Sequence, residues 1–296
     1  MKNPLENKTI IITGANSGVG KAAAIQLAVL GATVILACRS VERGNQAAAE
    51  VKAISSNQNI EFMQLDLSSQ ISIRTFADEF NTRFARLDVL IHNAANFDLT
   101  QKQPMITSDG VETIFATNHV GPYLLTYLLL GTLKASAPSR IITVASKGLA
   151  MHPFLDIEFD NLNGERKFSP EHAYYLSKLA QVMYTYDSSE QLKGTGVTVN
   201  CVRVTNVALP DERIAHLPDW QQKIYKMKRK MAISPERQAA TYVYLSSNPD
   251  LENVSGGYWD ENNHQVKSNT KSYNRETWIK LREVTEKMVK IDNMFS

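Results

Sequence analysis

The chain has 296 residues, of which 43% are hydrophobic and 21% charged, and its formal net charge is +2. This composition is typical of a soluble globular protein, and the length allows one large domain or two small ones. A net charge so near zero gives no support to nucleic acid or an anionic membrane as a partner.

The first residues, MKNPLENKT, are polar and lack the apolar segment of a signal peptide. No stretch reaches the roughly 18 apolar residues that a membrane-spanning helix needs. The longest candidate, 119–133, contains His, Pro, Gly and Thr and fits a buried helix better. Cys38 and Cys201 lie far apart in apolar runs, which indicates buried thiols in a reducing compartment rather than a disulfide. We therefore expect a cytoplasmic protein.

Short apolar runs alternate with helical patterns along the first two thirds of the chain. The runs that predict strands are 9–14, 32–38, 60–66, 87–93, 139–146 and 197–204, and those that predict helices are 18–30, 41–54, 70–85, 110–135 and 171–193. Several strand runs are apolar nearly throughout, which is typical of strands covered on both faces. The alternation predicts βαβ units with right-handed crossovers. We expect one Rossmann-type α/β domain over residues 1–296, with a doubly wound parallel sheet flanked by helices.

Residues 205–232 follow the last of these strands, and ligands of α/β proteins bind at the carboxyl ends of strands. We interpret this segment as a substrate lid with a short helix; a solvated surface helix is the alternative. Two more helices are predicted after it. Helix 234–247 begins with Ser234 as the capping residue and Pro235 in the first turn. Helix 276–289 is amphipathic and should pack on the body of the protein.

The sequence TGANSGVG (13–20) joins the first strand to the first helix. Gly14 permits a tight turn off the strand, and Gly18 and Gly20 let the backbone approach a cofactor closely. Free N–H groups at the helix N-terminus favour a pyrophosphate. The spacing G-x-x-x-G-x-G between strand and helix predicts a dinucleotide site rather than a purely structural turn. The other residues of this turn that we assign to the cofactor are Asn16, Ser17 and Val19.

The end of the second strand carries Cys38, Arg39 and Ser40, at the place where a carboxylate would bind the ribose 2′-hydroxyl of NAD. No acid is present to repel a 2′-phosphate, and the Arg39 guanidinium can pair with one. Arg39 and Ser40 therefore predict NADP(H) as the cofactor. A plain surface charge is the alternative for Arg39.

The stretch AYYLSKLA (173–180) places Tyr174 four residues and Tyr175 three residues before Lys178. Both spacings bring a tyrosine and a lysine to one face of a helix. Spacing alone therefore leaves open which tyrosine serves in chemistry.

Five motifs occur in the order TGANSGVG, HNAAN (92–96), ATNHVG (116–121), TVAS (143–146) and YYLSK (174–178). Together they resemble the short-chain dehydrogenase/reductase family. The stretches LNGERKFSPEHAYYLSKLA, SPERQAATYVYL and SGGYWDENN extend the resemblance to its retinol dehydrogenase-like, NADPH-dependent branch. The resemblance implies about seven strands and hydride transfer between NADP(H) and a carbonyl or alcohol of a lipophilic small molecule. It also implies a homodimer or homotetramer formed through helices 110–135 and 171–193.

The family's catalytic pattern, Tyr-x-x-x-Lys, falls on Tyr174 and Lys178. The resemblance adds Ser146 as the catalytic serine and Asn118 as a supporting asparagine, whereas Tyr175 should line the pocket or pack. The residues that it assigns to the cofactor, besides Tyr174 and Lys178, are Asp66, Leu67, Asn93, Ala94, Ala95 and Val207. Four histidines have no ligand-like spacing, so we expect no metal site; they are His92, His119, His152 and His172.

The chemistry that the resemblance implies is proton transfer beside a nicotinamide. A ketone that accepts hydride must also take a proton, but a free phenol has a pKa of about 10. The ammonium of Lys178 and the positive nicotinamide of the oxidised cofactor should lower the pKa of Tyr174. Ser146 would donate a hydrogen bond to the substrate oxygen. Asn118 would hold a water molecule in a proton relay behind Lys178.

Val204 and Thr205 stand where the family usually has Pro-Gly, and Ala95 stands where it usually has glycine. A β-branched residue tolerates fewer turn conformations than glycine, so we expect the lid to be mobile or differently placed. Two alternatives stay open: an unusual reduction or non-redox rearrangement or cyclisation on the same fold, and a cofactor-sensing protein. The intact Ser-Tyr-Lys set argues against the second. Candidate apolar contacts for the substrate are Met151, Phe154, Tyr175, Trp220, Tyr225 and Met227.

Overall fold

The computed structural model describes residues 3–208, 222 and 232–295. Its strands form one parallel sheet in the order β3-β2-β1-β4-β5-β6-β7. They are β1 (Thr9–Thr13), β2 (Thr33–Cys38), β3 (Ile60–Gln64), β4 (Val89–His92), β5 (Ser139–Ser146), β6 (Val197–Val204) and β7 (Tyr258–Trp259). The predicted parallel α/β sheet is confirmed, and only its short last strand was not located by the sequence pattern.

All the helices except the fourth begin close to their predicted positions. They are α1 (Gly18–Val29), α2 (Val41–Ser55), α3 (Gln70–Arg83), α4 (Gly121–Ala135), α5 (Pro170–Gln191), α6 (Pro235–Ser247) and α7 (Arg275–Val289). Ser169 and Ser234 each accept a hydrogen bond from a backbone N–H in the first turn of α5 and α6, and proline follows each serine. These caps satisfy donors that have no partner inside the helix, which is why both helices start at these serines.

Alternate side chains of the strands fill two apolar cores, one on each face of the sheet. Ile11, Leu90 and Ile141 belong to one core, whereas Ile10 and Val89 belong to the other. Successive residues of a strand point to opposite faces, so a strand that is apolar throughout must be covered on both sides. The two buried clusters confirm that expectation. Because the strands are parallel, their carboxyl ends all lie along one edge of the sheet.

The predicted helix 110–135 is wrong in its first part. Gly110 has a φ of +80° and lies in a turn, and the chain becomes helical only at Thr113. The side chain of Glu112 caps this start by accepting hydrogen bonds from the backbone N–H groups of Ile114 and Phe115. A five-residue π-helical segment, Ala116–Val120, then precedes α4. Such π segments recur at functional sites because they displace side chains from the regular helical positions.

The carboxyl-terminal helix α7 packs on the body of the protein, as predicted. Tyr123 donates a hydrogen bond to Glu286 at 2.9 Å, and Arg282 forms an ion pair with Asp187 of α5 at 3.1 Å. Trp278 is buried against the same core. Buried polar pairs of this kind fix how one helix lies on another, because a shifted helix would leave them without partners.

Both cysteines are free and buried, as expected. Across residues 3–208, 222 and 232–295, no helix combines the length and the apolar character needed to cross a membrane.

We expect Trp278→Ala to lower the free energy of unfolding by about 3–5 kcal/mol, because it removes a buried indole. The Trp278 Nε1 also donates to the Ser272 carbonyl at 2.6 Å. Ile279, the next residue, is exposed, so Ile279→Ala should change the free energy by less than about 0.5 kcal/mol. Urea denaturation followed by circular dichroism measures both variants. If both variants lost the same free energy of unfolding, α7 would not be packed on the protein through the face that carries Trp278.

Candidate active site

The turn between β1 and α1 fits against the end of β4 only because it contains glycines. Gly14 has a φ of +66°, and a Cβ atom there would lie 2.9 Å from the Cα of Ala94. A Cβ atom on Gly20 would lie 2.4 Å from the Asn93 Nδ2. Gly18, at the first position of α1, has a φ of +57°, which side chains disfavour. The turn is therefore bound tightly to the sheet.

Asn93 holds this turn in place. Its Nδ2 donates to the Thr13 carbonyl at 2.9 Å, and its Oδ1 accepts from the Tyr242 hydroxyl of α6 at 3.2 Å. Ala94 N donates to the Thr13 Oγ1 at 3.0 Å. Ser17 precedes α1 without a side-chain capping hydrogen bond, so first-turn N–H groups of α1 are not used by that side chain. The residues of this turn therefore fit the phosphate groups of a dinucleotide, with half-buried Asn16 and Val19 beside them.

The end of β2 presents two arginines near the glycine turn. Arg39 is exposed, and Ser40 caps α2 by accepting from the Arg43 N–H at 3.4 Å. Burial raises the pKa of the Cys38 thiol to about 11, while backbone hydrogen bonds and the charge of Arg43 act in the opposite direction. Arg43 is thus within electrostatic reach of the strand end where the 2′-phosphate was expected. The sequence analysis missed it, although one helical turn separates Ser40 from Arg43.

Asp66 and Leu67 lie at the end of the next strand, β3. The Asp66 Oδ1 accepts hydrogen bonds from the backbone N–H and the hydroxyl of Ser68, at 2.9 and 2.6 Å. The Leu67 carbonyl lies so close to Gly121 that a Cβ atom there would be 2.2 Å away. Asp66 is therefore hydrogen-bonded to the turn that follows β3, and Leu67 lies against the start of α4, while Ala95 is exposed.

Ser146, Tyr174 and Lys178 come together at the carboxyl end of β5. Ser146 is the last residue of the strand, and its side chain lies close enough to Tyr174 to lower the pKa of the phenol. The Lys178 Nζ lies 5.7 Å from the centre of the Tyr174 ring and donates to the Val144 carbonyl at 2.8 Å. This convergence favours Tyr174 as the catalytic tyrosine, because its ring lies within reach of both the serine and the lysine.

Burial dominates the ionisation of Tyr174. It raises the pKa of the phenol, the neighbouring Tyr175 raises it further, and only the hydrogen bond to Ser146 lowers it. The sequence analysis expected Lys178 and a positive nicotinamide to lower the pKa of Tyr174. The groups of the protein do not lower it, so any lowering would have to come from the positive nicotinamide of the oxidised cofactor.

Burial also governs Lys178, which is only 2% exposed. Removal from water lowers the pKa of its ammonium from 10.5 to about 8, although the nearby Cys201 acts slightly in the other direction. The hydrogen bond to the Val144 carbonyl keeps the amine in place. Lys178 can therefore change its protonation state close to neutral pH.

Asn118 lies in the π-helical segment, and its side chain is fully engaged. The Oδ1 accepts from the Asn96 N–H at 2.6 Å, while the Nδ2 donates to the Asn96 carbonyl and to the Ser177 hydroxyl, both at 3.0 Å. The Ser177 hydroxyl in turn donates to the Tyr174 carbonyl at 2.7 Å. Asn118 thus connects the loop after β4 to the helix that carries the tyrosine and the lysine.

The backbone carbonyl of Asn118 is also occupied. Gln181, buried on α5 one turn after Lys178, donates its Nε2 to that carbonyl at 2.6 Å. The sequence analysis did not identify Gln181, because nothing in its spacing indicates which distant carbonyl it would meet. A water relay through Asn118 would have to share this carbonyl with Gln181.

Two aromatic rings surround Tyr174. Phe97 lies with its ring centre 4.2 Å from that of Tyr174 and remains 44% exposed. Tyr175 packs against His152, with ring centres 4.2 Å apart, and its hydroxyl lies so close to Gly148 that a Cβ atom there would be 2.4 Å away. Tyr175 therefore packs, whereas Phe97, which the sequence analysis missed, covers the candidate catalytic ring.

The chain that leaves β6 is held by hydrogen bonds. Thr205 N donates to the Gln238 Oε1 of α6 at 3.0 Å, and Val207 forms a short parallel bridge with Ile233. A mobile or displaced segment is expected after Val204; the structure shows these two contacts for residues 205–208, and the expectation itself stays a prediction. The rest of the predicted lid, 209–221 and 223–231 with Trp220, Tyr225 and Met227, lies outside the described residues.

The histidines serve packing roles. Burial lowers the pKa of His92 and of His119 to about 3, so both are neutral at physiological pH. Their Nε2 atoms lie 2.8 Å from the Thr126 hydroxyl and 3.0 Å from the Thr285 hydroxyl, respectively. In the part of the chain that the structure describes, no three His, Cys, Asp or Glu side chains form a group that could hold a metal ion.

Comparison with known proteins finds dehydrogenases by both family model and sequence similarity. The family model described as short chain dehydrogenase matches residues 8–155. Retinol dehydrogenase 14 of Homo sapiens is 39% identical over 271 residues, which cover 87% of this chain and 79% of that protein. Retinol dehydrogenase 13 of Homo sapiens is 39% identical over 263 residues, which cover 88% and 78%.

Solved structures share the fold. A protein from Mycobacterium Paratuberculosis has a TM-score of 0.73 at 25% identity, covering 98% of this chain and 96% of that chain. A short chain dehydrogenase from Shigella flexneri, complexed with NADP, has a TM-score of 0.68 at 22% identity, covering 88% and 100%.

The chain therefore belongs to the short-chain dehydrogenase/reductase family and resembles its retinol dehydrogenases. It is an oxidoreductase that acts on alcohols or carbonyl groups with a nicotinamide cofactor.

We expect Lys178→Met to raise the free energy of unfolding near pH 7 by about 2–3 kcal/mol, because it removes a buried ammonium. The folded pKa of Lys178, about 8, lies below its ordinary 10.5, so the unfolded chain binds more protons between these values. The wild-type protein therefore gains stability from this site as the pH rises through that window, and the gap between variant and wild type should shrink.

Urea denaturation at several pH values between 7 and 10.5 measures this gap. Lys193→Met, at an exposed lysine, provides the control and should show no comparable pH dependence. A gap for Lys178→Met that stays constant over the window would contradict the lowered pKa.

Proposed function

We propose that this protein uses NADP(H) to interconvert a carbonyl group and an alcohol on a lipophilic small molecule. The observation that carries the proposal is the meeting of Ser146, Tyr174 and Lys178 at the strand edge that also bears the glycine turn. The cofactor supplies or accepts the hydride when it is bound. The protein's own groups bind the substrate oxygen and move its proton.

Tyr174 is the proton donor in the direction of reduction. Its phenol is neutral at physiological pH because burial raises its pKa, so it can donate to an oxygen that becomes negatively charged. The Ser146 hydroxyl donates a hydrogen bond to the same oxygen and stabilises the developing charge. Lys178, whose ammonium has a pKa of about 8, stabilises the Tyr174 phenolate that remains and allows Tyr174 to be protonated again.

Selection of NADP(H) is assigned to Arg39 and Arg43. Both guanidinium groups belong to the segment that follows β2, and Ser40 fixes the start of α2 between them. Arginine pairs with phosphate through two parallel N–H groups and is favoured where a 2′-phosphate must be distinguished from a hydroxyl. The complexes of fold relatives with NADP and with NADPH support the same choice.

A lipophilic substrate accounts for apolar side chains that the fold leaves in water. Phe97 lies on Tyr174, and Met151 and Phe154, in the segment after Ser146, are 82% and 89% exposed. Large exposed apolar side chains beside a catalytic group are typical of a binding surface. The names of the retinol dehydrogenase relatives support a substrate of this class.

Three further expectations stay predictions: a single domain over 1–296, a cytoplasmic location, and a homodimer or homotetramer. Among the described residues, none of the large exposed apolar side chains lies on α4 or α5. An interface through these helices would therefore be made mostly by smaller or polar groups. The non-redox alternative rests on Val204 and Thr205 in place of Pro-Gly, and the absence of turnover on any carbonyl substrate would favour it.

Tyr174→Phe should reduce kcat/KM by at least about 100-fold, because it removes the proton donor. Tyr175→Phe, which removes the hydroxyl of the adjacent packed ring, is the matched control and should stay within about threefold of the wild type. Loss of NADPH absorbance with a panel of lipophilic aldehydes and ketones measures both. If Tyr174→Phe keeps wild-type turnover, or if the wild type reduces no carbonyl in the panel, the proposal fails.

Arg39→Ala should weaken NADPH binding by about 10- to 100-fold and NADH binding by less than about threefold, since only NADPH carries the 2′-phosphate. Arg43→Ala should likewise weaken the binding of NADPH more than that of NADH. Titration of intrinsic protein fluorescence with each dinucleotide gives both constants. Equal weakening of NADPH and NADH would refute the phosphate role, and Lys52→Ala on the same helix tests for a general effect of charge.

A further inference from the structure

One face of α6 reaches towards the cofactor turn and the catalytic edge together. Gln238 and Tyr242 are four residues apart, so they lie on the same side of the helix, and both are fully buried. The Tyr242 hydroxyl donates to the Asn93 Oδ1 and thereby supports the glycine turn. Gln238 occupies the corresponding position one turn earlier.

The orientation of the Gln238 amide is fixed by its contact with the chain after β6. Its Oε1 accepts from the Thr205 N–H at 3.0 Å, and because an N–H group can only donate, the oxygen must be the atom that faces it. The Nε2 therefore points to the other side of the amide. No residue of the described parts of the chain accepts a hydrogen bond from this nitrogen, although Gln238 is 0% exposed.

A buried amide nitrogen without an acceptor is unfavourable and rare. A glutamine that only served to hold Thr205 would cost stability through its second polar atom, and a side chain with a single acceptor would avoid that cost. A bound ligand can supply the acceptor that the described chain does not offer to Nε2.

The position of Thr205 shows where the Gln238 amide lies in the candidate active site. In the sheet, Val204 at the end of β6 pairs with Ser146 at the end of β5. Thr205 is the next residue, so the Gln238 amide lies near the catalytic serine rather than near Arg39 at the far side of the sheet. In parallel α/β sheets this edge receives the ligand.

We propose that the Gln238 Nε2 donates a hydrogen bond to the nicotinamide half of the bound dinucleotide, at an oxygen of the carboxamide or of its ribose. Gln238 would then be a cofactor-binding residue that also positions the backbone of Thr205. This inference rests on the proposed use of a nicotinamide dinucleotide.

Two variants separate the donor from the acceptor. Gln238→Glu keeps an oxygen for the Thr205 N–H and removes the donor, whereas Gln238→Leu removes both without adding a charge. The probes are NADPH, which carries the nicotinamide half, and adenosine 2′,5′-bisphosphate, which lacks it. Isothermal titration calorimetry gives both affinities, and thermal unfolding verifies that each variant is folded. Gln26→Glu is the control, since Gln26 donates to the Glu236 carbonyl of the same helix from an exposed position.

Both Gln238 variants should bind NADPH about tenfold more weakly or worse, while their affinity for adenosine 2′,5′-bisphosphate stays within about twofold of the wild type. The Gln26 control should leave both affinities unchanged. Wild-type NADPH affinity in Gln238→Leu would overturn the inference and leave the proposed function intact. Equal weakening of both probes would also overturn it, because the effect would then come from the fold. Failure of the wild-type protein to bind NADPH would instead overturn the proposed function.

Discussion

A buried ammonium is unfavourable even when it is hydrogen-bonded and more so when it is not, and the geometry of this site follows from the hydrogen bond that Lys178 makes. Its amine donates to the Val144 carbonyl, two residues before Ser146, so α5 must lie against the end of β5. That contact places Tyr174, one turn earlier on α5, beside Ser146. Burial favours the uncharged form of both the lysine and the tyrosine, and the site therefore holds a protonated phenol next to an amine that titrates near neutral pH.

Side-chain amides hold the loops that surround this pair. Asn93 fixes the glycine turn, Asn118 joins the loop after β4 to α5, and Gln238 holds the chain after β6. Loops at the edge of a sheet leave backbone N–H and C=O groups that the strands do not satisfy. An amide can accept from one such group and donate to another, so it binds two segments at a defined distance. These amides therefore satisfy backbone groups at the end of the sheet where Ser146, Tyr174 and Lys178 meet.

The sequence predicts whatever depends on local periodicity. Apolar runs located β1 to β6, the Ser234 cap located the start of α6, and helical spacing brought Tyr174 and Lys178 to one face. The two-residue strand β7 is too short for a pattern, and the π segment around Asn118 reads as ordinary helix. Contacts such as Gln181 with Asn118, 63 residues apart, depend on tertiary packing that no spacing encodes. The raised pKa of Tyr174 was missed for the same reason, since burial is a property of the assembled fold.

The departure from Pro-Gly shows how the same edge can be built with different residues. Proline and glycine would set the turn through their own backbone preferences, and Thr205 has neither the fixed φ of proline nor the freedom of glycine. Its N–H group is held by Gln238, and Val207 is paired with Ile233, so neighbouring elements define the path of this segment. A path fixed by contacts does not require a special residue at the turn. Selectivity for the substrate can then depend on side chains such as Phe97, whose ring lies on Tyr174, without altering the position of the proposed proton donor.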